Sequence, residues 1–312
     1  MKTARLLLLA MLLPALSSAQ SVAEVVKQVR SLSEQGNHRE AADLGKAALA
    51  KPEATGELLW KTLDALGSLN AAQEQEEVLE ATVKAHPKNW YMLRSAGKYY
   101  LALPHQGTVT DGKFVRGEIR NWNNRKTTEL KDRVRALQLL EAAWKNLPAE
   151  NRASGMLEIY PSFVEALTQG NLHNPSAWSL LHLTDLSTLP GFDDESGLDE
   201  PAEGYPVDGE RSPIFFKAAE SWDKAKNDGE RLLWVLEEMA KISPSTAREA
   251  RQQIAQLTKS WFSVETLDGY GFRFDADEDE SSTKSSIATL HTLKDDETVA
   301  KLATGPKRFA LP

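Results

Sequence analysis

The sequence predicts an all-α fold, a right-handed array of antiparallel helix pairs interrupted by one β-hairpin. Three observations carry this. Apolar residues recur at helical spacing through most of the chain, Pro52 and Pro87 close equivalent segments 35 residues apart, and Asp111-Gly112 separates two short β-prone runs.

The first twenty residues, MKTARLLLLAMLLPALSSAQ, stand outside that pattern. Lys2 and Arg5 precede an apolar run from Leu6 to Leu16, and small residues end at Ala19. This is the form of a secretory signal peptide, residues 1–19, cleaved after Ala19. The run is about half of the ~20 residues a membrane-crossing helix needs. The expected location is therefore exported, periplasmic or extracellular.

The first pair lies in VAEVVKQVRSLSEQGNHREAADLGKAALAKPE. Val22, Val25, Val26, Val29 and Leu32 share one helical face, Gly36-Asn37 marks a turn, and Ala41, Leu44, Ala48 and Leu49 form the second face before Pro52. The next pair runs through Leu58, Trp60, Leu63, Leu66 and Leu69, then Val78 to Val83, and ends before Pro87. GNHREAADLGKAALAKP resembles the second half of a tetratricopeptide repeat, whose period is about 34 residues. An ordinary array of helical hairpins fits these residues equally well, because the first helix lacks the usual tryptophan and tyrosine. The resemblance implies a tetratricopeptide-like solenoid.

A third pair is expected between NWYMLRSAGKYYLAL (89–103) and LKDRVRALQLLEAAWKNLP, which aligns Val134, Leu137, Leu140, Trp144 and Leu147. The hairpin, near 107–117, is inserted at their turn. With Asp111-Gly112 as a two-residue turn, Thr110 faces Lys113, Val109 faces Phe114 and Thr108 faces Val115. Val109 and Phe114 then share a face able to pack on the helices.

Further helices are expected at 156–170 and at 174–190, the latter capped by Asn174 with Pro175 in its first turn. Together these elements make a helical repeat region over 20–189. Residues 190–213 lose periodicity and collect acids, glycines and prolines, which reads as an acidic surface linker. ERLLWVLEEMAKI and AREARQQIAQLTKSWF, joined by a Ser-Pro-Ser turn, make one more antiparallel pair within 214–264. The tail, 265–312, reads as irregular and helical, and its apolar ending LATGPKRFALP predicts that the chain continues into downstream domains.

Composition narrows the function. The 37 Lys plus Arg, less Lys2 and Arg5, stand against 45 Asp plus Glu, a net charge of −10 for the mature chain. Nonspecific binding to nucleic acid is disfavoured by that balance. The absence of cysteine removes thiol nucleophiles, disulfides and thiolate metal sites together.

Catalytic motifs are also missing. There is no G-x-S-x-G elbow, and Gly269-Tyr270-Gly271 lacks the later glycine of a phosphate cradle. The six histidines show no H-E-x-x-H or i, i+4 spacing, so no metal is assigned. DADEDES (275–281) has the first three acids of a calcium loop but Glu280 where glycine is needed and Ser286 where glutamate is needed. No cofactor is expected, and no catalytic residue is named.

The candidate contact residues are Lys113, Phe114, Arg116, Arg120, Trp122 and Arg125, a local basic and aromatic patch able to grip an acidic segment or a carboxylate. The competing reading is that the arginines pair with the chain's own acids while Trp122 packs.

Taken together, LPHQGTVTDGKFVRGEIR, KDRVRALQLLEAA, HLTDLSTLPGFDD and IATLHTLKDDETVAKLATGPKRFALP resemble the N-terminal helical region of bacterial alpha-2-macroglobulin family proteins. The resemblance implies an exported protein whose later domains trap proteases. The family's Cys-Gly-Glu-Gln thioester is absent, so trapping itself is not implied for these residues. The expected function is a non-catalytic helical scaffold that binds protein or peptide segments or positions downstream domains. The alternative is an exported hydrolase or lyase on a helical scaffold, using His105, Asp111 and the nearby arginines, or the acidic linker.

Overall fold

The computed structural model describes residues 21–117, 125–168, 177–194, 204–262 and 292–311. The signal segment, Arg120, Trp122, the Asn174-Pro175 cap, the acidic run 275–281 and Gly269-Tyr270-Gly271 lie outside the described residues. The described residues are mostly helical, with a small antiparallel sheet. None of their helices is long and apolar enough to cross a membrane.

Local chemistry explains where the helices begin and end. α1 (Val22–Glu34) starts at a capping box, in which Ser21 and Glu24 satisfy each other's backbone N–H groups. Its valines 25, 26 and 29 are buried. Gly36, at φ +82°, reverses the chain into α2 (His38–Leu49). Thr55 caps α3 (Gly56–Ser68), α4 covers Ala72–Ala85, and Asn89 caps α5 (Trp90–Ala102).

After the hairpin, α6 (Glu129–Lys145) packs back along α5. Gly97 makes this approach possible, since a Cβ there would lie 3.2 Å from the Ala136 carbonyl oxygen. α7 (Arg152–Thr168), α8 (Asp228–Ala240) and α9 (Pro244–Phe262) follow, each packed on the helix before it. Alternate helices also touch: α1 meets α3, α3 meets α5 and α5 meets α7. One apolar core runs from Val25 to Ala250 and is densest in leucine.

The sheet is larger than a hairpin. β1 (Gln106–Thr110) and β2 (Lys113–Arg116) pair in the register set by the Asp-Gly turn, Val109 opposite Phe114 and Thr110 opposite Lys113. β3 (Arg125–Thr127) adds to the other edge of β1, and β4 (Asp193–Asp194) adds to β3. The strand order is β2-β1-β3-β4.

Three segments differ from the sequence-based expectation. Within 174–190 the described part holds only a 3-10 turn, Ser179–Leu181, and then extended chain. Side chains compete with helical hydrogen bonding there: Asp185 accepts from the Ser187 N–H at 2.8 Å, and the Thr184 N–H goes to Asp228 at 3.1 Å. Residues 190–213 are not wholly a solvated linker. Asp193 and Asp194 belong to the sheet, and Tyr205 is 2% exposed.

The tail, expected to be irregular and helical, forms in its described part a hairpin of β5 (Glu297–Leu302) and β6 (Gly305–Ala310). Tyr205 bridges to Leu302 beside it, its N–H donating to the Lys301 carbonyl at 2.9 Å. Tyr205, Phe262, Ala300 and Leu302 make a second small core.

Candidate partner-binding surface at the inserted hairpin

Asp111 and Gly112 both take positive φ, 51° and 76°, the backbone of a two-residue turn whose twist matches its strands. Because partners across the ladder share a face, Val109 and Phe114 lie together with Gly107 and Arg116. Phe114 packs on the chain ahead of β4, stacking on Phe192 at 5.9 Å between centroids and 21° between planes. Gly107 leaves room for that ring, since a Cβ there would come within 2.7 Å of it.

Arg116 turns inward from the same face. Its guanidinium meets Asp132 of α6 through two bonds, 2.6 and 2.9 Å, and Glu76 of α4 through Nε at 3.1 Å and Nη2 at 2.9 Å. The Pro104 carbonyl (2.9 Å) and the Thr128 hydroxyl (3.0 Å) complete its shell. Both the Arg116 and the Asp132 side chains are fully buried.

Asp132 also accepts from Thr128 at 2.8 Å and from His105 Nδ1 at 2.9 Å, an arrangement that fixes the His105 proton on Nδ1. Burial would raise the Asp132 pKa, but the His105, Arg116 and Thr128 hydrogen bonds and the guanidinium charge together hold it below the usual carboxylate range. For Arg116, burial works against the charge, and the two carboxylates outweigh it. Lys131 reaches the other oxygen of Glu76 at 2.7 Å. Three elements, β2, α4 and α6, are thereby tied by one buried charge network.

The proposed contact residues separate accordingly. Lys113 is exposed beside the turn, Phe114 is half-buried, and Arg125 sits on β3 opposite Thr108, half-buried and engaged with other residues. Arg116 is a correction to the contact set, because every donor it has faces an acceptor inside the protein. It anchors the hairpin and offers nothing to a partner. Arg120 and Trp122 lie outside the described residues.

Comparison with protein-family models, with curated proteins and with solved structures returned no match. The geometry therefore stands by itself. His105 and Asp111 occupy opposite ends of β1, roughly 20 Å apart at the rise of an extended strand, so they do not converge on one reacting group. Among the described residues no group of three or more His, Cys, Asp or Glu side chains is placed to hold a metal ion.

Sequence reasoning missed Asp132, Glu76, Thr128 and Phe192. One signal was present for Asp132: it begins the buried stripe Asp132, Ala136, Leu139, Leu140, Ala143 of α6, an acid on an otherwise apolar face. An acid there needs a buried cation, and it also lies favourably near the helix N-terminus.

Proposed function

We propose that this chain is an exported, non-catalytic helical scaffold that binds protein or peptide segments or positions domains attached to it. Its helix pairs are read as a right-handed, tetratricopeptide-like solenoid. The larger protein is read as a protease-trapping protein of the alpha-2-macroglobulin kind, with this chain as its N-terminal part.

The observation that carries the scaffold reading is Arg116. The hairpin's most strongly polar side chain is consumed in anchoring the hairpin to α4 and α6, while Lys113 is presented to solvent at the tip. A hairpin held in that way suits contact better than turnover. The solenoid reading draws support from the contacts between alternate helices and from Gly45, where a Cβ would sit 2.1 Å from Thr62 Oγ1 of the next helix. Close approach at a small residue is what stacked helix pairs require.

Two measurements test this. A photo-crosslinking residue placed at Lys113 should trap one discrete protein, or a downstream domain of the same chain, in the exported compartment, and Lys113→Glu should weaken that capture. A diffuse pattern unaffected by Lys113→Glu would overturn the contact role. Reading the gene past Pro312 tests the kinship: β-rich domains are expected, and an immediate stop codon would sink it.

A further inference from the structure

A cavity of about 430 Å³ opens between α8, α9 and the C-terminal hairpin, away from the elements that build the inserted sheet. Its wall is aromatic, from Tyr205, Phe215, Phe216, Trp261 and Phe262. These rings support one another, with Tyr205 and Phe262 at 4.1 Å between centroids and Phe216 and Trp261 at 5.5 Å. The size lies at the lower end of the range for small-molecule sites, which are largely apolar with a few placed polar groups.

Two polar groups stand out. Trp261 of α9 lines the cavity, and its indole Nε1 is buried with no hydrogen-bond partner among the described residues. A buried N–H without a partner is costly, and a ligand atom would relieve it. Lys259 is the one charged side chain among the described lining residues. It is exposed at the mouth and has no ion-pair partner among the described residues, in a chain that carries more acids than bases. Ala255, Thr258, Lys259 and Phe262 recur at i, i+3, i+4 and i+7, so one face of α9 delivers a small floor, the ammonium and an aromatic ring together.

The geometry points to a binding site for an amphiphilic monocarboxylate, its apolar body against the aromatic wall and its carboxylate on Lys259. The Trp261 indole N–H donates to the same head group or to a polar atom near it. An apolar body gains from burial in proportion to its area, and the ammonium selects an anion over a neutral or cationic head. This site is independent of the scaffold reading.

Calorimetric titration of the full chain with decanoate, and separately with decanol, tests it. Decanoate should bind once per chain. Lys259→Met should weaken decanoate at least tenfold and leave decanol unchanged, while Ala255→Trp, at an exposed position, should abolish both without changing the circular dichroism spectrum. Trp261→Phe, which keeps an aromatic ring and removes the N–H, should weaken decanoate severalfold and decanol much less. No saturable binding would overturn the proposal, as would decanoate binding that is indifferent to Lys259→Met and Ala255→Trp. Decanol binding as tightly as decanoate would overturn the assigned ligand class.

Discussion

Arg116 on β2 and Asp132 on α6 form a two-pronged ion pair, with bonds of 2.6 and 2.9 Å and neither side chain reaching solvent. The bond pattern fixes where the hairpin sits on the helices. Removing one partner leaves the other buried and charged, which costs far more than the intact pair contributes.

Arg116→Ala should therefore destabilise the fold by about 3–5 kcal/mol, read from urea denaturation. Arg116→Met combined with Asp132→Leu should recover at least half of that loss, because no unpaired charge remains. A loss under about 1 kcal/mol for the single variant would show that the pair is solvated.

The same carboxylate gives an acid limb to stability. Asp132 has a depressed pKa in the folded state, so its contribution is present above the unfolded value of about 4 and is lost as pH falls through the folded one. Asp132→Asn should flatten the decline in melting temperature below about pH 4 while lowering stability at neutral pH. An unchanged acid limb would assign it to other carboxylates.

Burial raises the tyrosine hydroxyls in the opposite sense. Tyr160 is pushed up to about 12 by burial, and Tyr99, Tyr100 and Tyr205 are raised by burial above the usual range as well. Their stabilising contribution is complete below about pH 10 and is lost as pH rises through the folded values. Tyrosinate absorbance at pH 11 should therefore be well short of full ionisation in the native protein and should complete only on unfolding.

Gly45→Ala should destabilise by about 1–3 kcal/mol, although alanine is intrinsically the better helix former, because the added Cβ would meet Thr62 Oγ1 at 2.1 Å. Adding Thr62→Ala should recover part of the loss. If Gly45→Ala were stabilising, α2 and α3 would have to part without penalty.

Phe192→Ala should remove the stack on Phe114 and cost about 1 kcal/mol or more, since the ring is 38% exposed. The effect should be local, with faster amide exchange at Lys126 and Thr127, which pair with Asp194 and Asp193. Uniform protection across the sheet in the variant would show that β4 is held by other means.

Much of this was legible in the chain. The Asp111-Gly112 turn is enough to set Val109 against Phe114, because a two-residue turn with positive φ leaves one register. Apolar spacing likewise marks the helices α1 to α9. β3 was not legible: Arg-Lys-Thr carries no alternation, and it is a strand because β1 offers an open edge. Residues 182–190 read as helix by spacing, yet the geometry at Thr184 is set by Asp228, 44 residues further along the chain. In the tail, β-branched Thr298 and Val299 ahead of the Thr304-Gly305 turn were a strand signal that the surrounding polarity obscured.

The sequence by itself determined the helical period, the caps, the turns and the hairpin register, all of which depend on residues within a few positions of one another. The tertiary structure decided which of several similar arginines is buried. Arg116 lies on the strand face turned to α4 and α6, opposite to that of Lys113, and there Glu76 and Asp132 wait 40 and 16 residues away along the chain. Burying a charge requires its partner to be already in place, and that placement is a property of the packed helices, not of the segment that carries the charge.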